Sequence, residues 1–263
     1  MVRFKVLGRF DLLAGAKVCT PTAPKVGQVL AHLLMHGNQV VHIDSIIDEL
    51  WEHRPPSSAI TTTQTYIYQL RKIFEKEGIA ASGEDVLATK LPGYVLKVKP
   101  GQLDAETFEL LVSEARDLLE RRVPERAVAL LAEALSLWTG PPLFGVTRGP
   151  RLEAWCVQLE EQRLRALQLR IECDIQLGRH REVVGDLRSL VIINPLNEWF
   201  HERLIWVLGR SGRRAEALQA YAHLRRILRD ELGLEPSPEL QRLHQNLLTV
   251  PSMTAPRLVE ERA

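Results

Sequence analysis

A chain of 263 residues, 45% hydrophobic, 25% charged and 6% aromatic, has the composition of a globular protein and the length of two domains. No apolar run reaches the roughly 18–20 residues of a membrane helix, and Arg3–Val6 passes straight into strand-like alternation without a signal-peptide core; the chain reads as cytoplasmic. The net charge of +1 decides nothing about partners, because it averages two unlike parts: residues 1–100 are net +3 and hold all eight lysines, whereas 101–263 are net −2 and use only arginine. That change sets a boundary near Pro100-Gly101, with one domain over 1–100, a second over 101–249 and a polar, disordered tail over 250–263. Cys19, Cys156 and Cys173 form no CxxC pair and read as free thiols.

In chain order, residues 3–13 place Phe4, Val6, Phe10 and Leu12 on one alternation, which predicts a strand or two. A helix is predicted from Pro24 to His36, with Val26, Val29, Leu30, Leu33 and Leu34 inside and a stop at Gly37-Asn38. A short helix follows from Ile43 to Trp51, striped by Ile43, Ile46, Ile47, Leu50 and Trp51 and closed by Pro55-Pro56. Ser57 is placed to cap a third helix reaching Lys76. At 100° per residue, Ile60, Thr63, Ile67, Leu70 and Phe74 form its core face. The opposite face collects Thr61, Thr62, Thr65, Gln69 and Lys72, with Tyr66 and Tyr68 on the flanks and Arg71 nearer the core. Two short β runs, Val86–Thr89 and Tyr94–Lys99, then flank Lys90-Leu91-Pro92-Gly93, a hairpin whose glycine supplies a positive φ.

Two helices, a turn, a long helix and a basic hairpin form the order of a winged helix-turn-helix. Between His53 and Phe74, and again between Val86 and Leu103, there is no acidic residue. DNA phosphates repel carboxylates, so an acid-free helix face is suited to the major groove while lysine meets the backbone. Thr, Gln and Tyr hydrogen-bond to base edges or phosphates, and the Thr methyl packs on thymine. Taken alone, the same face would equally serve as a solvated polar surface; the paired acid-free segments favour DNA.

Beyond Leu103 the pattern is helical. Asp104–Arg122 carries Phe108, Leu111, Ala115, Leu118 and Leu119; Pro124–Trp138 carries Ala127, Leu130, Leu131, Ala134, Leu135 and Trp138; a long helix spans Arg151–Leu177 after a break at Thr139–Pro150. Gly178-Arg179-x-x-Glu182-Val183 recurs 34 residues later as Gly212-Arg213-x-x-Glu216-Ala217, with Leu187 matching Tyr221 and Leu190 matching Leu224. That is the tetratricopeptide period. Such helix pairs bury their apolar faces by stacking and create a concave surface that commonly binds protein. The fold class is therefore mostly α: an α+β winged helix-turn-helix followed by an all-α tetratricopeptide-like domain.

Several strings carry a resemblance. Leu50-Trp51-x-x-Arg54-Pro55-Pro56-x-Ser58-Ala59, Gln64 to Lys72 and Pro92-Gly93-Tyr94 resemble the OmpR-type DNA-binding domain of the Streptomyces antibiotic regulatory protein family. Leu137–Leu143, Arg210–Tyr221 and Glu231–Leu240 resemble the bacterial transcriptional activation domain that follows it in the same family. The resemblance covers about residues 3–248. It implies a sequence-specific activator that binds direct repeats near the −35 promoter element as a homodimer on double-stranded DNA. Such an activator recruits RNA polymerase holoenzyme, including its sigma factor, to an antibiotic gene cluster. On that reading the third helix enters the major groove, with Thr61, Thr62, Thr65, Tyr66 and Gln69 near bases and Tyr68, Arg71, Lys72, Lys90 and Lys97 near phosphate. Arg71 owes its place mainly to the family motif. The Lys90 hairpin lies along the adjacent minor groove or its phosphates, although Lys-Leu-Pro-Gly departs from a more arginine-rich family wing.

Catalytic signatures are missing from the sequence: no phosphate-binding loop, dinucleotide fingerprint or nucleophile elbow occurs. His32 and His36 share one helix, with His42 nearby, but have no carboxylate or cysteine at ligand spacing, so a structural role is favoured over a metal. No cofactor and no enzyme activity are expected. The alternative reading is a helical-repeat interaction scaffold whose N-terminal module binds DNA without sequence preference.

Overall fold

The computed structural model describes residues 2–52 and 54–249; the tail expected over 250–263 lies outside them. The chain divides into two compact units, the first running through Arg170 and the second starting at Ile171.

In the first unit, β1 (Val2–Lys5), β2 (Asp11–Ala14) and β3 (Lys17–Val18) form an antiparallel meander, with Val2 opposite Ala14 and Leu13 opposite Val18. The alternation turns Phe4, Val6, Phe10 and Leu12 inward. Helix α1 (Pro24–Met35) starts on a proline, whose fixed φ suits the first turn, and buries Val26, Val29, Leu30, Leu33 and Leu34. β4 (Val41–His42) leads into α2 (Ile43–Trp51), which buries Ile46, Ile47 and Leu50. Next come α3 (Ala59–Lys76), a single turn α4 (Gly83–Val86), and the hairpin strands β5 (Leu87–Lys90) and β6 (Gly93–Leu96). The second sheet has the order β4-β6-β5, all antiparallel. This is the winged helix-turn-helix arrangement.

Three local expectations change. Helix α3 begins at Ala59 with Ser58, not Ser57, at the N-cap, and no side-chain cap bond forms. Ala59 fills the core position at that end, so Ile60, one 100° step round, is 54% exposed rather than buried. Gly93 has no positive φ; it is needed because a Cβ there would lie 1.9 Å from the Val41 carbonyl oxygen, where β6 meets β4.

The unit continues through α5 (Asp104–Glu120), α6 (Pro124–Ser136) and the start of α7 (Pro150–Gln176). Helices α5 and α6 pack as a pair through Phe108, Val112, Ala115, Ala127, Leu131 and Ala134, and the Phe108 and Trp138 rings meet edge to face at 5.5 Å. Val112, not Leu111, carries the stripe onto the fully buried side. Two carboxylates, half-buried Asp104 and buried Glu49, join elements distant in sequence. Asp104 opens α5 and accepts the Val6 and Leu7 backbone N–H groups at 2.9–3.1 Å, while Glu49 on α2 accepts those of Gly149, Arg151 and Leu152.

The second unit holds the end of α7 with α8 (His180–Ile193), α9 (Glu198–Arg210), α10 (Arg214–Leu232) and α11 (Pro238–Thr249). The 34-residue repeat is realised as conformation: Gly178 and Gly212 turn with φ of 75° and 74°, and Arg179 and Arg213 occupy equivalent N-cap positions. Val183 and Leu187, like their counterparts Ala217 and Tyr221, are buried. Among the described residues no helix is long and apolar enough to cross a membrane.

Candidate nucleic-acid interface

Helix α3 is amphipathic in the sense that matters here. Thr63, Ile67, Leu70 and Phe74 anchor it, so the residues on the far side are fixed in register and face solvent. Thr61, Thr65, Tyr68, Gln69 and Lys72 are exposed; Thr62 and Tyr66 are half-buried on one flank. Of the two flanking tyrosines, Tyr68 is 59% exposed and Tyr66 is half-buried.

The polar groups on this face are only partly engaged. The Thr65 hydroxyl donates to the Thr61 carbonyl at 3.0 Å, and the Thr62 hydroxyl to Ser58 Oγ at 3.4 Å. Lys72 Nζ bonds Glu75 Oε2 at 2.8 Å and sits 5.6 Å from the Tyr68 ring centroid. The Glu75 hydrogen bond holds the Lys72 ammonium above its ordinary pKa, and the same bond with the Gly83 amide holds the Glu75 carboxyl below its own. Glu75 therefore orients the cation at the rim of the face.

Arg71 does something the sequence pattern did not reveal. Its Nε donates to the Leu87 carbonyl at 2.9 Å, Nη2 to Thr89 Oγ1 at 2.7 Å, and Nη1 pairs with Glu84 at 2.9 Å. Only 17% of the side chain is exposed. All its donor edges face protein, so it clamps the β5–β6 hairpin to α3. Gly83 permits this approach, because a Cβ there would fall 2.4 Å from Arg71 Cβ. Lys90 and Lys97 stand exposed on the clamped hairpin. Lys76, one turn beyond Lys72, is also exposed and extends the cationic end of α3; its i,i+4 spacing was the signal for it.

The neighbouring histidines are structural in their contacts. His32 is fully buried, its Nε2 lies 3.0 Å from Ser45 Oγ, and its ring meets His36 edge to face. Burial, then the nearby His36 and Arg151, lowers its pKa to about 3. All three cysteines are free and buried.

Residues 19–96 match the family described as "Transcriptional regulatory protein, C terminal", and residues 103–248 match the "Bacterial transcriptional activator domain". The chain is 40% identical over 232 residues to the regulatory protein DnrI of Streptomyces peucetius, covering 87% of this chain and 85% of that one. It is 34% identical over 226 residues to the transcriptional regulator RedD of Streptomyces coelicolor, covering 86% of this chain and 64% of RedD. Against the regulatory protein AfsR of Streptomyces griseus it is 35% identical over 247 residues, 94% of this chain but 24% of AfsR. The solved structure of Mycobacterium tuberculosis EmbR in complex with a low affinity phosphopeptide superposes with a TM-score of 0.86 at 30% identity, over 94% of this chain and 65% of that one. The chain belongs to the Streptomyces antibiotic regulatory protein family, transcriptional regulators that place an OmpR-type DNA-binding domain before a bacterial transcriptional activator domain.

Proposed function

We propose that this regulator is a sequence-specific activator that reads promoter DNA with the outward face of α3 and steadies itself with the Lys90 hairpin. One observation carries the reading: a rigidly anchored helix presents Thr61, Thr65, Tyr68, Gln69 and Lys72 to solvent with no acidic residue on its exposed N-terminal half. Thr61, Thr62, Thr65, Tyr66 and Gln69 lie near base edges, and Tyr68, Lys72, Lys90 and Lys97 near phosphates. Arg71 acts through the hairpin it holds, and reaches phosphate only by giving up those bonds.

The module over 1–100 supplies the reading head and the one over 101–249 the protein contacts. Two protomers sit on direct repeats near the −35 element, and the helical part engages RNA polymerase holoenzyme with its sigma factor to switch on a secondary-metabolite cluster in the cytoplasm. The chain works as a regulator, not a catalyst.

Selection of random duplexes by the full-length protein at about 0.15 M salt tests this, since non-specific binding is strongly weakened there. Enrichment of a direct repeat supports it. Binding that is indifferent to sequence would overturn it and favour the scaffold reading.

A further inference from the structure

The tip of the β5–β6 hairpin carries an unusual side chain for a surface facing phosphate. Leu91 is 92% exposed, the most exposed large hydrophobic residue among those described. It is not on a loose loop. Arg71 bonds the β5 backbone at Leu87 and the side chain of Thr89, two residues before the tip. On the other strand Gly93 pairs with both Lys90 and His42, and the Ile43 amide donates to the Pro92 carbonyl at 3.3 Å. The fold therefore holds an isobutyl group out in water on a fixed stem, with the exposed Lys90 beside it.

The clamp also fixes the hairpin stem relative to α3. Strands advance about 3.3 Å per residue, so the tip stands about 7 Å along the chain from Thr89, whose side chain Arg71 bonds. On the proposed function, the hairpin lies along the minor groove next to the α3 site or along its phosphates. An ammonium there finds phosphate; an isobutyl group has no partner among phosphates. Its apolar match is the minor-groove interior, where sugar walls and base edges accept apolar wedges that partly unstack a base step.

We propose that Leu91 is an apolar probe of the minor groove next to the α3 site, selecting a flexible, easily unstacked step by its deformability and not by hydrogen bonding. This rests on the DNA-reading function of α3. It assigns to the hairpin tip a specificity role that is independent of salt, in contrast to the lysines, whose contribution falls as counterions compete.

The test uses the full-length protein and the duplex that the wild type selects, labelled with 2-aminopurine at the step flanking the α3 half-site. Leu91→Ser is compared with Leu91→Met and Lys90→Ala. The expected result is an affinity loss of about tenfold for Leu91→Ser, the scale of one lost groove contact, with the slope of log K against log salt unchanged and near-wild-type behaviour for Leu91→Met. Wild-type binding brightens the 2-aminopurine and Leu91→Ser does not, whereas Lys90→Ala lowers the salt slope by about one and keeps the brightening. Wild-type affinity and brightening in Leu91→Ser would overturn the proposal. So would unchanged DNA binding with a loss confined to polymerase-dependent transcription, which would assign Leu91 to a protein partner. If the wild type selects no duplex, the DNA-reading function itself has failed, and this failure is told apart because it appears before any variant is made.

Discussion

Glu49 Oε1 accepts the Gly149 amide at 2.6 Å, joining α2 to the N-terminus of α7 across a hundred residues of sequence. Its other oxygen accepts the Arg151 and Leu152 amides at 2.9 and 3.3 Å, and Gln28 donates to its backbone carbonyl at 2.8 Å. A helix start has four unsatisfied amides and a partial positive charge, so one carboxylate satisfies three donors and the dipole together. Helix α2, which packs against α3, is thereby fastened to the helix that leads on into the rest of the chain.

Removing that carboxylate leaves buried amides without partners. Glu49→Ala is expected to destabilise the first unit by about 3 kcal/mol, the scale of unsatisfied buried donors plus a lost cap, with Glu49→Gln intermediate because its amide donors face other donors. Urea unfolding followed by tryptophan fluorescence measures both. Gly149→Ala should act similarly by another route, since its Cβ would lie 2.2 Å from the Glu49 carbonyl oxygen.

Arg71→Ala separates positioning from contact. Loss of the bonds to Leu87, Thr89 and Glu84 should cost about 2 kcal/mol of stability, and Arg71→Lys should recover little, because an ammonium lacks the planar fork. DNA affinity should fall while the salt slope stays near that of the wild type. A drop of about one in that slope would instead place Arg71 on a phosphate.

Lys72 and Gln69 occupy one exposed face but are expected to fail differently. Lys72→Ala should weaken all sequences about equally and lower the salt slope by roughly one; Gln69→Ala should cost about 1–3 kcal/mol on the selected site and almost nothing on random DNA. Glu75→Gln, which releases Lys72 from its 2.8 Å ion pair, should raise non-specific affinity. Anisotropy titrations on both duplexes over a salt series check all three.

These residues also show what the sequence could disclose. The buried face of α3 at Thr63, Ile67, Leu70 and Phe74 was legible because helical period is a local property, and the 34-residue repeat was legible because it is written twice. Glu49 was not: it follows Asp48 inside a mixed run, and nothing local says that three amides from residues 149–152 will meet it. Asp104 was legible as a helix start but not as the acceptor for Val6 and Leu7. Arg71 sat near the core side of the wheel, and only the strand packed beside it turns that position into a clamp. Ile60 misled because helix start and core assignment trade one residue for another at a terminus.

The last prediction concerns half-buried Asp104 and buried His32, whose protons act against each other. Burial pushes the Asp104 carboxyl up to about 6, outweighing its bonds from Val6 and Leu7, and lowers the His32 imidazole to about 3. Between about pH 4 and 6 the folded state binds a proton at Asp104 that the unfolded chain has released, so this contribution to stability is lost as pH rises. Over the same interval the unfolded chain holds a proton at His32 that the folded state refuses, so this contribution is lost as pH falls. Each gives a slope of about 1.4 kcal/mol per pH unit, with opposite signs. Asp104→Asn should therefore expose the histidine slope: relative to the wild type, its stability should fall by about 1.4 kcal/mol for each unit of acidification from pH 6 to 4. His32→Gln should change in the opposite direction. Urea midpoints at half-unit pH intervals measure both, and a pH-independent difference between Asp104→Asn and the wild type would show that Asp104 is already ionised throughout this range in the folded protein.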